Sequence, residues 1–341
     1  MELKFNPEKP QYKYITNLDD LNIALEDLEK QKVIAVDVES SGLDAYNSSL
    51  LMVQIGTETI SYIIDARDID LKKVPRYKEL LENPKIIKLL HNAKFDYKFI
   101  KHHTKVDMNN IYDTMLAEGI LKAGLTGGFV GLKTLSLEYI NVSLDKGART
   151  TFVGMVHQRF SDEQLEYGAL DTLVLFPIFQ QQLVKLQKEN IVNIAKLEFA
   201  ATKVVAEMEY RGIYIDTEKW KKIIKELKNK RQLHADTFFD AIKSYYNYQS
   251  MDLFGNSQPP ININSQAQLL DLFNNKLKLN IPSTGDPILS MLSHPVAKIL
   301  RDYRKYEKLI TAFGESLLDK VNPVTNRLHP DFNQLGAATG R

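Results

Sequence analysis

The stretch VIAVDVESSGL (33–43) decides how the first half of this chain is read. Its opening residues are apolar and largely β-branched, the composition of a buried strand, and acids enter only near the end. Asp37 and Glu39 stand two residues apart, so on a strand both side chains leave one face. That places a carboxylate pair near the carboxyl end of a strand, where α/β sheets tend to put ligand sites. Two adjacent acids repel, and a cation would offset the repulsion; a solvated strand end would equally accommodate the pair.

Working outward, LLMVQIGT (50–57), TISYIID (59–65) and KIIKLLH (85–91) read as further strands, with a tight turn at Glu58. Helical patterns follow over 92–103, 111–122, 132–140 and 161–188, and a Gly-rich connection, AGLTGGFVG, spans 123–131. This alternation predicts an α/β domain. Past about residue 189 long helical patterns take over, interrupted by a polar loop at 249–264, after which Asn264 or Ser265 caps a short helix. A domain boundary is therefore expected near 189, dividing the chain into 1–188 and 189–341.

Two further clusters hold candidate chemistry. In HNAKFDYKF (91–99), Asn92 and Asp96 lie one helical turn apart, directly after a strand. In LEYGALDT (165–172), Tyr167 and Asp171 are spaced i, i+4 and share a helix face. Each alone has an ordinary structural reading, an acid in a first helical turn being favoured by the helix dipole.

Composition bounds the rest. The chain has 341 residues, 44% hydrophobic and 26% charged, a length that suits two domains. No run approaches the roughly 18–20 apolar residues of a membrane span, and the opening MELKFNPEKPQYKY lacks the apolar core of a secretory signal. The absence of cysteine excludes disulfides, zinc-thiolate sites and thiol nucleophiles, and is compatible with a reducing cytoplasm. A net charge of +1 argues against a protein that coats nucleic acid, but leaves room for a negative metal pocket beside a positive phosphate track. The segment 217–231 is a candidate for such a track, with seven basic residues (Lys219, Lys221, Lys222, Lys225, Lys228, Lys230, Arg231) against two acids. Arg301, Arg304, Lys305 and Lys308 form a second patch. A solvated helix face is the plainer reading of either.

In order and internal spacing, the three carboxylate clusters resemble the motifs of the DEDD 3′→5′ exonucleases, in the subgroup with tyrosine. The second half resembles family A DNA polymerases of bacteria and phages. There FAATKVVAEMEYRGIYIDTEKW is similar to the approach to the polymerase region, ININSQAQLLDLF and HPVAKILRDYRKYEKLITAF to thumb segments, and PVTNRLHPDFNQLGAATGR to the approach to the palm. The resemblance implies a ribonuclease H-like mixed sheet followed by a mainly α-helical thumb and partial palm. It implies that Asp37 bridges two Mg²⁺ or Mn²⁺ ions, that Glu39 and Asp171 complete one site, and that Asp96 holds the second ion through water. Tyr167 would orient the attacking water. Hard cations about 3.5–4 Å apart select carboxylates and suit phosphodiester hydrolysis.

The resemblance also assigns DNA contacts: Leu43 against the terminal base, Asn92 and Phe95 at the 3′ nucleotide, Lys221, Lys222, Lys225 and Arg304 at the duplex, and Arg341 at the primer end. Asp113 matches a family acid but is expected to be structural. The implied function is proofreading removal of nucleotides from a DNA 3′ end, since a mismatched terminus melts more cheaply than a paired one. The partners are then single-stranded and primer-template DNA, and no membrane. Compared with the family, a preceding 5′-nuclease domain, the fingers and most of the palm are missing. Polymerase activity is therefore expected only in a longer parent or with a second polypeptide, and apolar surface is expected around 196–215 and 321–341. An RNase D-like exoribonuclease and a non-catalytic DNA-binding subunit are the alternatives.

Overall fold

The computed structural model describes residues 3–123, 130–144, 147–246, 250–251, 257–258 and 260–337. Arg341, most of the Gly-rich connection and much of the polar loop expected at 249–264 lie outside them. The chain divides into two compact units, Met1–Gly212 with His329–Arg341, and Ile213–Leu328.

The first unit is built on β1 (Tyr12–Ile15), β2 (Val33–Ser40), β3 (Leu50–Gly56), β4 (Ser61–Asp65), β5 (Ile87–Leu90) and β6 (Ile111–Asp113). Its helices are α1 (Leu18–Leu28), α2 (Pro75–Glu82), α3 (Ala93–Thr104), α4 (Thr114–Leu121), α5 (Leu132–Ile140), the single turn α6 (Gly147–Thr150), α7 (Asp162–Leu173), α8 (Leu175–Lys188) and α9 (Val192–Arg211). The six strands form one sheet in the order β1-β4-β3-β2-β5-β6. Only β3 runs against its neighbours; the β1–β4, β2–β5 and β5–β6 pairs are parallel. This is the mixed sheet expected, with two strands added. β1 is a short edge strand too polar to signal burial, and β6 occupies the start of the helix anticipated at 111–122. The helix anticipated at 161–188 is two helices that meet at Val174.

Alternation along β2 sorts its side chains. Ile34, Val36 and Val38 enter the core shared with α1, α2 and α3, while Ala35 joins the core on the other face with Leu116, Leu175 and Phe199. Asp37 and Glu39 continue the Ala35 face. On β3, Val53 and Ile55 likewise point to the first core, which puts Met52, Gln54 and Gly56 on the Asp37 face.

The division after Gly212 differs from the boundary expected near 189. Helix α9 packs on α3, α4 and β6, burying Ala195, Phe199 and Ala206. Its buried Glu209 pairs with Lys94 and Lys98 of α3. Residues after 328 return to the same unit: His329 Nδ1 bonds Glu209 O at 2.9 Å and Phe332 N donates to Glu209 Oε1 at 2.8 Å.

The second unit contains β7 (Ile213–Tyr214), α10 (Thr217–Ile242), β8 (Ser250–Met251), β9 (Ser257–Gln258), α11 (Gln266–Asp271), α12 (Asp286–Leu289), α13 (Pro295–Phe313), α14 (Glu315–Leu318) and β10 (Arg327–Leu328). Helices α10 and α13 form its spine, around a core that includes Phe238, Leu269, Phe273 and Leu300. Ser265 is the cap of α11, accepting from Gln268 N. β7 and β10 pair antiparallel, so the ends of the unit lie side by side. No described helix is long and apolar enough to cross a membrane.

Candidate metal centre

Helix α7 brings the third carboxylate cluster to the first. Ser161 caps it in a reciprocal capping box with Gln164, and Asp162 and Glu163 complement the dipole of its first turn. Close approach to the sheet is possible because small residues meet: a Cβ on Gly56 would lie 2.9 Å from Thr172 Oγ1, and one on Gly168 2.7 Å from Gln54 Nε2. Leu165 and Ala169 bury against Met52 and Ile63, and the i, i+4 pair Tyr167 and Asp171 is thereby held over the end of β2. Immediately beyond Glu39 the β2–β3 register shifts, an irregularity that re-aims the strand end next to the acids.

Oxygens of Asp37, Glu39 and Asp171 lie within 4.8 Å of one another, with Glu39 and Asp171 buried and Asp37 half-buried. Asp96 is placed differently. It is 2% exposed, and its Oδ1 accepts a hydrogen bond from Val38 N at 3.1 Å. Helix α3 packs on the Val36–Val38 face, and this bond sets Asp96 against the β2 backbone beside Asp37. Burial, with the neighbouring Asp37 charge, raises the Asp96 pKa well above the carboxylate range. Three clustered carboxylates and a fourth in electrostatic contact form an all-oxygen donor set that suits a hard divalent cation. The charge such an ion brings is what this concentration of acids calls for.

Burial, then the charges of Asp171, Glu39 and Asp37, raises the Tyr167 pKa far above its usual value. Beside Tyr167 opens a cleft lined by Thr151, Gln164, Glu166 and Leu170.

The other sequence candidates are located as follows. Leu43 is 82% exposed and so takes no part in the core. Asn92 caps α3 in a left-handed conformation at φ 65°, and Phe95 is half-buried against Phe99, ring centroids 4.8 Å apart. Asp113 is spent on the backbone, accepting from the amides of Asn92, Ala93, Met115 and Leu116, as its structural reading expects.

On α10, four of the seven basic residues are ion-paired: Lys219 with Asp216, Lys221 with Glu218, Lys228 with Glu315 and Arg231 with Glu307. Lys222 and Lys225 are exposed and have no ion pair among the described residues. Arg304 departs from the expectation of a free phosphate contact. Its half-buried guanidinium donates to Thr284 O and, at 3.1 Å, to Thr284 Oγ1, because α13 packs it inward beside the 284 loop.

Sequence reading passed over two features. Gly154 N donates to Ser41 O at 3.0 Å, tying the 151–155 segment, with its exposed Val153, to the loop that follows β2. Gln54 is a fully buried amide beside the site, and its one visible signal is a polar residue inside the apolar run of β3.

Comparison with known proteins agrees with this geometry. Residues 12–187, more than half of the chain, match the family model described as 3′-5′ exonuclease, and residues 232–341 match DNA polymerase family A. DNA polymerase I of Borreliella burgdorferi is 30% identical over 98% of this chain and 37% of its own length. DNA polymerase I of Aquifex aeolicus is 27% identical over 97% of this chain and 56% of its own. The POL domain of Pol1 from M. smegmatis, in complex with DNA primer-template and dNTP, shares the fold with a TM-score of 0.72 at 20% identity, over 96% of this chain and 53% of that one. This chain thus spans about 37% and 56% of the length of these two curated relatives. It belongs to the family A DNA polymerases and carries their 3′-5′ exonuclease domain.

Proposed function

We propose that the chain removes nucleotides from DNA 3′ ends by metal-dependent phosphodiester hydrolysis, as the proofreading part of a family A polymerase. The observation that carries this reading is the convergence of Asp37, Glu39 and Asp171 within 4.8 Å. Asp37, Glu39 and Asp171 would hold one Mg²⁺ or Mn²⁺ ion, and Asp37 with Asp96 a second. When bound, such ions supply a water of lowered pKa and stabilise charge on the leaving oxygen.

The protein's own part is placement. Tyr167, on the face of α7 that carries Asp171, orients the attacking water. Leu43 offers an exposed apolar wedge for the terminal base, with Asn92 and Phe95 at the 3′ nucleotide. Lys222 and Lys225, with Lys221, form a salt-sensitive phosphate track for duplex, and Arg341 belongs to the same reading. Synthesis of DNA, a cytoplasmic location and a second polypeptide that completes the polymerase are part of this proposal. The named relatives, of whose length this chain spans a part, support DNA synthesis in a longer parent as much as with a second polypeptide.

Digestion of 3′-labelled single-stranded DNA and matched RNA with Mg²⁺ tests it. Release of mononucleotides from DNA in preference to RNA is expected, and loss of that release in the Asp37→Ala/Glu39→Ala double variant with DNA binding retained. Preference for RNA would support an RNase D-like enzyme, and cleavage that persists in the double variant would overturn the site.

A further inference from the structure

Between β3 and α7 lies a polar side chain with nothing to bond. Gln54 is fully buried, and neither its Nε2 nor its Oε1 has a hydrogen-bond partner among the described residues. Buried amides are nearly always satisfied, because an unpaired one forfeits its bonds to water without return. The neighbours of Gln54 along β3 are Leu51, Met52, Val53 and Ile55, all fully buried. An apolar side chain would have served packing better.

The position supplies the reason. Gln54 stands directly opposite Asp37 in the antiparallel β2–β3 register, so the two side chains leave the same face with their Cβ atoms about 4.5–5.5 Å apart. The Gln54 amide extends from there under α7. Its Nε2 is 2.7 Å from where a Cβ on Gly168 would be, and Gly168 lies between Tyr167 and Asp171 in the helix. The amide is thus at the floor of the carboxylate group, within side-chain reach of Asp37.

We propose that Gln54 is a positioning residue of the metal site, its amide available to donate to the Asp37 carboxylate and steady it as a ligand when an ion is bound. The inference rests on the metal-dependent nuclease reading above. Groups that hydrogen-bond ligating carboxylates typically change metal affinity 10–100-fold when removed.

The experiment is direct Mn²⁺ binding to the whole chain without DNA, by electron paramagnetic resonance, for wild type, Gln54→Leu, Gln54→Met and Asp37→Ala. Thermal unfolding and Mn²⁺-dependent exonuclease rates accompany it. Both Gln54 variants should melt no lower than wild type, since each removes an unsatisfied amide, yet bind Mn²⁺ about tenfold or more weaker. The Mn²⁺ concentration for half-maximal exonuclease rate should rise by the same factor while kcat at saturating Mn²⁺ changes little. Unaltered Mn²⁺ affinity in whichever Gln54 variant folds overturns the role of Gln54 while leaving the metal site standing. No Mn²⁺ binding by wild type, or full binding by Asp37→Ala, overturns the metal-site reading and this inference with it.

Discussion

Asp113 illustrates how one residue can match a functional motif and do structural work. Its carboxylate takes four backbone N–H groups, two at the start of α3 and two at the start of α4, and is 1% exposed. Asp113→Ala should lower stability by about 2–4 kcal/mol, combining a lost cap with buried unpaired donors, measured as a shift in the urea midpoint at unchanged slope. Tyr167 has the opposite character. Tyr167→Phe should leave folding and Mn²⁺ binding intact and lower kcat roughly 10²-fold; an unchanged kcat would remove the phenol from the mechanism.

Elements decide whether these residues meet. The contact of α7 with β3 depends on Gly56, where an added Cβ would lie 2.9 Å from Thr172 Oγ1 and 3.0 Å from Thr172 Cβ. Gly56→Ala should therefore push the helix outward. Exonuclease rate should fall about tenfold or more, since a misplacement near 1 Å can cost 10²-fold, while circular dichroism keeps its helical amplitude.

The last turn of α3 carries a pH dependence of stability. His103 Nε2 bonds Ser48 O at 3.1 Å, and burial, then the charge of His102, depresses the ring's pKa to about 4. The unfolded ring titrates near 6.5. The stability from the neutral folded ring is therefore complete above pH about 6.5 and is lost as pH falls from there toward 4. Chemical denaturation between pH 7 and 4 should show this decline, and His103→Gln should flatten it; equal slopes in both proteins would count against the assignment.

At the scale of the molecule, the second unit begins and ends on paired strands. Ile213 and Leu328 are register partners in β7–β10, so Gly212 and His329 emerge close together. Replacing 213–328 by a short Gly-Ser linker should give a first unit that unfolds cooperatively and keeps its exonuclease activity on single-stranded DNA, with weaker, less salt-dependent duplex binding. Truncating 329–337 should lower the thermal midpoint of that unit, because buried Glu209 would lose the His329 and Phe332 bonds to it. Apolar surface is also present where it was expected: Leu197 is 68% exposed, Val204 60%, Met208 51%, Tyr214 62% and Val324 62%.

The sequence by itself determined the α/β character of the first unit, four of the six strands and the family, and it named the acids and Tyr167 as candidates. Those features are written in local patterns: apolar runs ending in acids, i, i+4 pairs and motif spacing, each readable within a few residues. Tertiary structure decided what depends on packing between distant segments. It gave α9 and 329–337 to the first unit through Glu209, bonded Asp96 to the β2 backbone at Val38, turned Arg304 onto Thr284 and left Gln54 unpaired beneath Gly168. None of these is a property of a local window, because each is fixed by which faces of separate elements come into contact.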